Sequence, residues 1–169
     1  MKIAVSILMF AMSLMFSHFA KAQNLTKEAT NAFAHFTKTQ EIKQLEAARK
    51  NIDEAFKTGK DSLSLKNNLL RAMIYSALAV VDSNRNFNYE KDPLQVASYS
   101  LNLLNNKKFN AEFEAEIEFI KNQLSRGYLF EANNAVTYSD FEEAVFAFAK
   151  VDSLSPGDLN ITHNLAVLY

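Results

Sequence analysis

The sequence predicts an all-α protein built from antiparallel helix hairpins. Glycine occurs only three times and proline twice in 169 residues, whereas a β-rich chain of this length needs many turn residues. Apolar residues recur at helical spacings of three and four along most of the chain. The joints between these helical patterns are short, and short joints place successive helices side by side in opposite directions.

A leader sequence precedes the helical region. An almost uncharged apolar run follows the first two residues and leads to Ala20, Ala22 and Gln23. The two alanines match the A-x-A site at which signal peptides are cleaved. We therefore expect residues 1–22 to be removed and residues 23–169 to form the exported, mature domain. The alternative is an uncleaved membrane anchor, because the apolar run is nearly long enough to span a bilayer.

The composition limits the bonds and partners that are expected. The chain has no cysteine, so it can form no disulfide and cannot carry a lipid anchor on an amino-terminal cysteine. Its net charge is −1 and becomes more negative once Lys2 and Lys21 leave with the leader. A nucleic-acid partner would need a basic face, so none is expected. No membrane insertion is expected after the leader is cleaved, because no later segment is apolar enough.

Three helices are predicted before a polar joint. Their ranges are 25–37, 39–58 and 62–81. Gly59 is a suitable stop for the second helix, because glycine adopts the left-handed conformation that ends many helices. Ser62 is a suitable N-cap for the third helix. The joint that follows, from Asp82 to Asp92, is rich in Asn and charged residues, and we expect it to be an ordinary polar connection.

Four more helices are predicted after the joint. Their ranges are about 92–108, 109–138, 140–156 and 158–169. Pro93 suits the first turn of its helix, where the missing N–H costs nothing. Gly127 lies inside the longest pattern, where glycine weakens a helix by about 1 kcal/mol relative to alanine. Its small size could instead let another helix come close. Pro156 ends the helix before it, and Asp158 can cap the last one.

Small and aromatic residues are regularly spaced in the last helices. The positions that carry this regularity are Tyr128, Ala132, Phe141, Ala144, Phe148 and Pro156, followed by Leu165, Ala166 and Tyr169. The pattern resembles the tetratricopeptide repeat, a 34-residue helix–turn–helix unit. The best-matched unit spans 125–158, a partial unit spans 159–169, and looser units lie within 26–105. Taken together, these repeat units are also similar to exported multi-repeat proteins of Gram-negative, Bacteroidetes-like bacteria.

The resemblance implies an α-solenoid of stacked hairpins in the periplasm or at the cell surface. Ala132 and Ala144 would be the points where the two helices of a hairpin approach most closely. The larger side chains at 128, 141 and 148 would fill the space beside that crossing. The chain departs from the family pattern at Glu131, where the repeat has leucine, and at Ala135, where it has tyrosine.

The resemblance also implies a non-catalytic function, since such repeats bind a protein or peptide on their concave face. The candidate groove residues are Arg126, Leu129, Asn133, Val136, Thr137, Asn160, His163 and Val167. No cofactor or metal is expected, because His35 and His163 lack a second ligand at helical spacing. The chain stops within a repeat unit, so we expect a fragment of a longer protein. The alternative function is therefore a partner-binding arm of an enzyme or sensor whose catalytic domain lies beyond residue 169.

Overall fold

The computed structural model describes residues 24–57, 62–156 and 159–168, and it confirms the all-α prediction. Within these ranges there are eight helices and no strand. The helices are α1 (24–39), α2 (Ile42–Phe56), α3 (Leu65–Val81), α4 (Pro93–Asn102), α5 (Lys107–Glu112), α6 (Glu114–Thr137), α7 (Phe141–Leu154) and α8 (Leu159–Leu168). None of these helices has the length and apolar character that crossing a bilayer requires. The predicted leader, Gly59, Asp158 and Tyr169 lie outside the described residues.

The chain divides into two compact units, residues up to 67 and residues from 68 onward. The first unit contains α1, α2 and the first turn of α3. Its buried apolar side chains follow the predicted helical spacing: Ala29, Phe33, Phe36, Leu45, Ala48, Ile52 and Ala55. Gln40 joins α1 to α2 with a φ of 58°, and its N–H bonds to the Phe36 carbonyl at 2.8 Å. This left-handed residue is a common way to end a helix.

In the second unit, α6 is the longest of the described helices. It packs against α4, α5 and α7, and α7 packs in turn against α8. Three residues connect α6 to α7, and Ser139 among them has a φ of 61°. The Asp140 side chain accepts a hydrogen bond from the Glu143 N–H at 3.2 Å and caps α7. The short turn and the long contact make α6 and α7 an antiparallel hairpin.

The core of this hairpin contains the small residues that the sequence singled out. Ala132 and Ala144 have no exposed surface. Tyr128 and Phe148 are buried as expected, whereas Phe141 leaves 53% of its surface exposed. Phe141 therefore fills the space beside the crossing only in part. It is the first residue of α7, where a side chain lies at the end of the hairpin rather than along it.

Gly127 is a point of close approach between helices, as one of the two interpretations of the sequence predicts. A Cβ at this position would lie 2.6 Å from Leu94 Cδ2 and 3.6 Å from the Ala79 Cβ. Leu94 belongs to α4 and Ala79 to α3. A side chain on residue 127 would therefore collide with its neighbours, and the absence of one lets α3 and α4 approach α6.

Three predicted helix boundaries are wrong: one inside the range 109–138, one at the start of α3 and one at the end of α4. The range 109–138 contains two helices, because Phe113 leaves the helical conformation with φ −117° and ψ 35°. The short helix α5 is tied to the preceding joint instead: the Asn110 amide donates to the Leu104 carbonyl at 2.8 Å. At the start of α3, Ser64 rather than Ser62 holds the N-cap place, since its hydroxyl accepts from the Asn67 N–H at 3.4 Å.

The start of α4 confirms the prediction. Pro93 is the first helical residue, and the Asp92 carboxylate accepts hydrogen bonds from the Leu94 and Gln95 N–H groups at 2.8 and 3.2 Å. These bonds satisfy two of the backbone donors that a helix start leaves without a partner. The helix ends at Asn102, earlier than the predicted range. The other carboxylate oxygen of Asp92, Oδ2, accepts a hydrogen bond from Arg85 Nε at 2.7 Å.

Candidate functional site

The joint between α3 and α4 is organised by one buried carboxylate. Asp82 is only 3% exposed. Its oxygens accept hydrogen bonds from the backbone N–H groups of Asn86 and Phe87 at 2.8 and 2.9 Å. They also accept from the Asn86 amide at 3.0 Å and from the Tyr89 hydroxyl at 2.8 Å. The segment expected to be an ordinary polar connection is thus folded around Asp82.

The pKa of Asp82 reflects two opposing causes. Burial raises the pKa, because a charged carboxylate loses its hydration. The hydrogen bonds from Phe87, Asn86 and Tyr89 lower it, and their combined effect is larger, so the pKa lies below its ordinary value of 3.8. Asp82 is therefore ionised near neutral pH. The hydrogen bonds that its negative charge accepts stabilise the fold of the joint.

Arg85 connects this joint to α6. Its Nε donates to Asp92 Oδ2 at 2.7 Å, and its Nη2 donates to Glu131 Oε1 at 3.1 Å. Its Nη1 lies within 3.1 to 3.3 Å of three backbone carbonyl oxygens, those of Ala79, Asp82 and Ser83. Each nitrogen of this guanidinium therefore donates a hydrogen bond to another group in the wall of the site.

A pocket of about 470 Å³ opens beside Arg85. Residues of the α3–α4 joint, the first turn of α4, the second half of α6 and the first half of α7 line it. Its charged residues are Arg85, Asp92, Glu131, Asp140 and Glu143. Four carboxylates and one guanidinium are thus among the described residues that line the pocket. Among the described residues the Glu143 carboxylate forms no ion pair, so the pocket carries an excess of negative charge.

Glu131 has a strongly shifted pKa in this pocket. Its half-buried carboxyl has a pKa raised from 4.5 to about 7. Loss of hydration is the largest cause, and repulsion from Asp92 and Glu143 adds to it, whereas Arg85 opposes the shift. The Tyr128 hydroxyl beside it, which shares a hydrogen bond with Ser98 Oγ at 2.9 Å, also has a raised pKa, mainly because of burial. Perturbed ionisable groups in a cleft are typical of functional sites.

Aromatic side chains surround the pocket. Phe130, Tyr138 and Phe146 line it and are 39%, 82% and 50% exposed, respectively. Phe141 is exposed next to Asp140 at the start of α7. Large apolar side chains are ordinarily buried in a folded domain. A group of four on one helix hairpin therefore distinguishes this part of the surface.

The groove predicted from the sequence lies on the other side of α6. Each residue advances about 100° around a helix, so the predicted positions 126, 129, 133, 136 and 137 fall away from the pocket positions 131, 134, 135 and 138. Phe130, which also lines the pocket, is the exception and falls beside positions 126 and 137. Most of the predicted groove side chains are exposed, and Leu129 is half-buried: the exposed ones are Arg126, Asn133, Val136, Thr137, His163 and Val167. The side chain of Asn160 lies outside the described part of the chain.

The partial repeat unit in α8 fits its expected packing only in part. Leu165 is half-buried, Ala166 is exposed, and Ile161 is buried. Pro156 follows the end of α7 and is exposed. The structure thus shows the hairpin of α6 and α7 and the packing of α7 against α8. Whether further hairpins stack as a solenoid remains an expectation from the resemblance.

Sequence reasoning missed the pocket and most of its residues. Arg85 and Glu131 lie 46 positions apart, and no local pattern links residues so distant. One signal was present: Glu131 stands where the repeat pattern has leucine. An acidic residue at a position that is ordinarily apolar indicates a local function or a buried pairing, and the structure shows the pairing with Arg85.

Comparisons of this chain with protein-family models, with curated proteins and with solved structures found no match.

Proposed function

We propose that this chain is an exported, non-catalytic protein-binding module, and that the hairpin of α6 and α7 presents its binding surface. The observation that carries the proposal is the group of exposed aromatic side chains around the pocket. Exposed apolar groups with a polar surround mark interaction sites in soluble proteins. Aromatic residues are enriched in protein interfaces because they give large contact areas at little cost in side-chain entropy.

The helical hairpins support this function as well. A hairpin whose small residues meet in its core leaves its outer faces free to bind, as helical-repeat proteins do. Two faces of α6 are candidates: the pocket face, with Tyr138 and Phe146 nearby, and the sequence-predicted groove face, with Val136. We favour the pocket face because its exposed side chains are larger and converge on one concave site.

A random peptide library displayed on phage and selected against the chain tests this function. We expect enriched peptides that bind with a Kd of about 100 μM or tighter. Phe146→Ala should weaken them about tenfold, because aromatic anchors contribute most to such interfaces. Val136→Ala, on the opposite face of α6, is the matched control and should leave the affinity unchanged.

Other results of the peptide selection would move the binding site or contradict the function. Loss of binding in Val136→Ala with none in Phe146→Ala would place the site on the sequence-predicted groove. Failure of the selection to enrich any peptide above the background seen with an unrelated helical protein would contradict a protein-binding function. Each variant also needs an unchanged urea unfolding curve, so that a loss of binding is not a loss of fold.

A further inference from the structure

The charge of the pocket indicates what it binds. Four carboxylates line it, and Arg85 is the one cationic side chain among the lining residues in the described part of the chain. Arg85 cannot neutralise them all, because its donors are already used by Asp92, Glu131 and three backbone carbonyls. Asp140 is engaged as the cap of α7 through the Glu143 N–H, whereas the Glu143 carboxylate has no cationic partner within the described residues. The wall of the pocket can therefore bind a cationic group from another molecule.

The aromatic side chains favour the same occupant. A cation over the face of an aromatic ring is attracted by the ring's negative charge distribution. One of these rings already has such a contact within the chain: Lys150 Nζ, whose residue lines a different pocket, lies 5.1 Å from the centre of the Phe146 ring. Tyr138, with most of its surface exposed, offers a second ring at the mouth of the pocket. A long basic side chain can place its stem on these rings and its charge near the carboxylates.

We propose that this pocket binds a lysine or arginine side chain of the partner protein, between Tyr138 and Phe146 and against the carboxylates of Glu131 and Glu143. The inference rests on the proposed function, since it names the part of the partner that the binding surface receives. The volume of about 470 Å³ is within the range of pockets that enclose small organic groups. The surrounding aromatic residues, Phe130 and Phe141, would contact the partner beside the inserted side chain.

The protonation of Glu131 makes this binding dependent on pH. The groups that face its carboxyl are Arg85 and Asp92 from the α3–α4 joint, the Tyr128 hydroxyl from its own helix and Glu143 from α7. With a pKa of about 7, Glu131 gains its proton as the pH falls from about 8 to about 6. An incoming cation favours the ionised form, so binding it should lower that pKa and release a proton.

Small cationic probes test the inference without a known partner. N-acetyl-lysine methylamide and N-acetyl-arginine methylamide would be titrated into the isotope-labelled chain and followed by NMR. N-acetyl-norleucine methylamide is the neutral control, because it has the shape of lysine without the ammonium group. We expect the cationic probes to shift the ring signals of Tyr138 and Phe146, and the neutral probe to shift them far less.

Variants and conditions sharpen the test. Glu143→Gln should weaken the cationic probes about two- to fivefold, the range for a partly exposed ion pair. Glu118→Gln, an exposed change far from the pocket on α6, is the control and should have no effect. Affinity should also fall about two- to fivefold between about pH 8 and pH 6, as Glu131 is protonated, and should fall with added salt.

Two results would overturn the inference. One is that the cationic probes leave the Tyr138 and Phe146 signals unchanged. The other is that the norleucine probe binds as well as the lysine probe, which would make the pocket an apolar site. Either result leaves the peptide-selection experiment standing, because peptides could still bind the aromatic surface without a basic residue. Failure of the peptide selection, by contrast, contradicts the proposed function whatever the probes do.

Discussion

At the scale of single residues, two side chains determine the form of the joint between α3 and α4. Asp82 gathers the backbone of Asn86 and Phe87 around a buried carboxylate. Arg85, with a φ of 54°, then points its guanidinium back across the joint to Glu131. A non-glycine residue with a positive φ is uncommon. The hydrogen bonds of Arg85 with Asp92, Glu131 and the carbonyls compensate for that conformation.

Replacing Asp82 by asparagine should lower the free energy of unfolding by about 1–3 kcal/mol near neutral pH, because the amide cannot accept all the hydrogen bonds that the carboxylate accepts. Urea unfolding measures the change. Glu90→Gln, an exposed change in the same joint, is the control and should stay within about 0.5 kcal/mol of the unchanged protein.

The pH dependence of this difference provides a second check. Because the folded pKa of Asp82 is lowered, its stabilising effect is complete above its ordinary pKa of 3.8 and is lost as the pH falls through the folded value. The gap between the original chain and Asp82→Asn should therefore narrow in acid. An equally large gap in acid and at neutral pH would mean that the charge of Asp82 contributes nothing.

At the scale of helices, the sequence predicted most of what depends on local pattern. The buried positions of α6, such as Ile120, Leu124 and Ala132, follow the apolar spacing. The start of α4 at Asp92 and Pro93 follows capping chemistry. The break at Phe113 was not predictable in this way, since the apolar pattern continues through it. The side-chain bonds that fix α5 to the preceding joint, from Asn106 and Asn110, are likewise absent from a periodic pattern.

The close approach at Gly127 leads to a prediction for the packing of α4 against α6. Alanine at an open position inside a helix is more stable than glycine by about 1 kcal/mol. At position 127 its Cβ would lie 2.6 Å from Leu94 Cδ2, and Leu94 is fully buried and cannot move freely. We expect Gly127→Ala to destabilise the protein by about 1–3 kcal/mol, the usual cost of overpacking.

A double-mutant cycle tests the cause of that effect. Leu94→Val removes the colliding Cδ2 atom, so Gly127→Ala should cost less in the Leu94→Val background than in the original chain. The expected coupling is about 0.5–3 kcal/mol, as for other residues in contact. Free energies of unfolding of the four proteins give it directly. Additive effects, or a Gly127→Ala variant more stable than the original, would show that Leu94 does not limit the space.

At the scale of the whole molecule, the net charge does not reveal how the charged side chains are arranged. The chain as a whole is nearly neutral, at −1, yet four carboxylates meet at one pocket. That pocket is assembled from the α3–α4 joint and from α4, α6 and α7, so its charge could not be predicted from any one segment. The sequence identified the hairpin that supports the site, because hairpin packing repeats locally. It could not identify the site, because the residues of the site are joined only by the fold.

The stability of the molecule should therefore depend on pH through Glu131. Its folded pKa of about 7 exceeds its ordinary value of 4.5, so between these values the folded protein binds more protons than the unfolded chain. Stability must then fall as the pH rises across this window. Glu131→Gln removes that titration. The difference in free energy of unfolding between the variant and the original chain should therefore move in favour of the variant from about pH 4.5 to about pH 7.

Urea unfolding at a series of pH values measures this difference, with Glu118→Gln as the control. Parallel curves for Glu131→Gln and the original chain would show that Glu131 titrates alike in the folded and unfolded states, and that burial in the pocket does not raise its pKa.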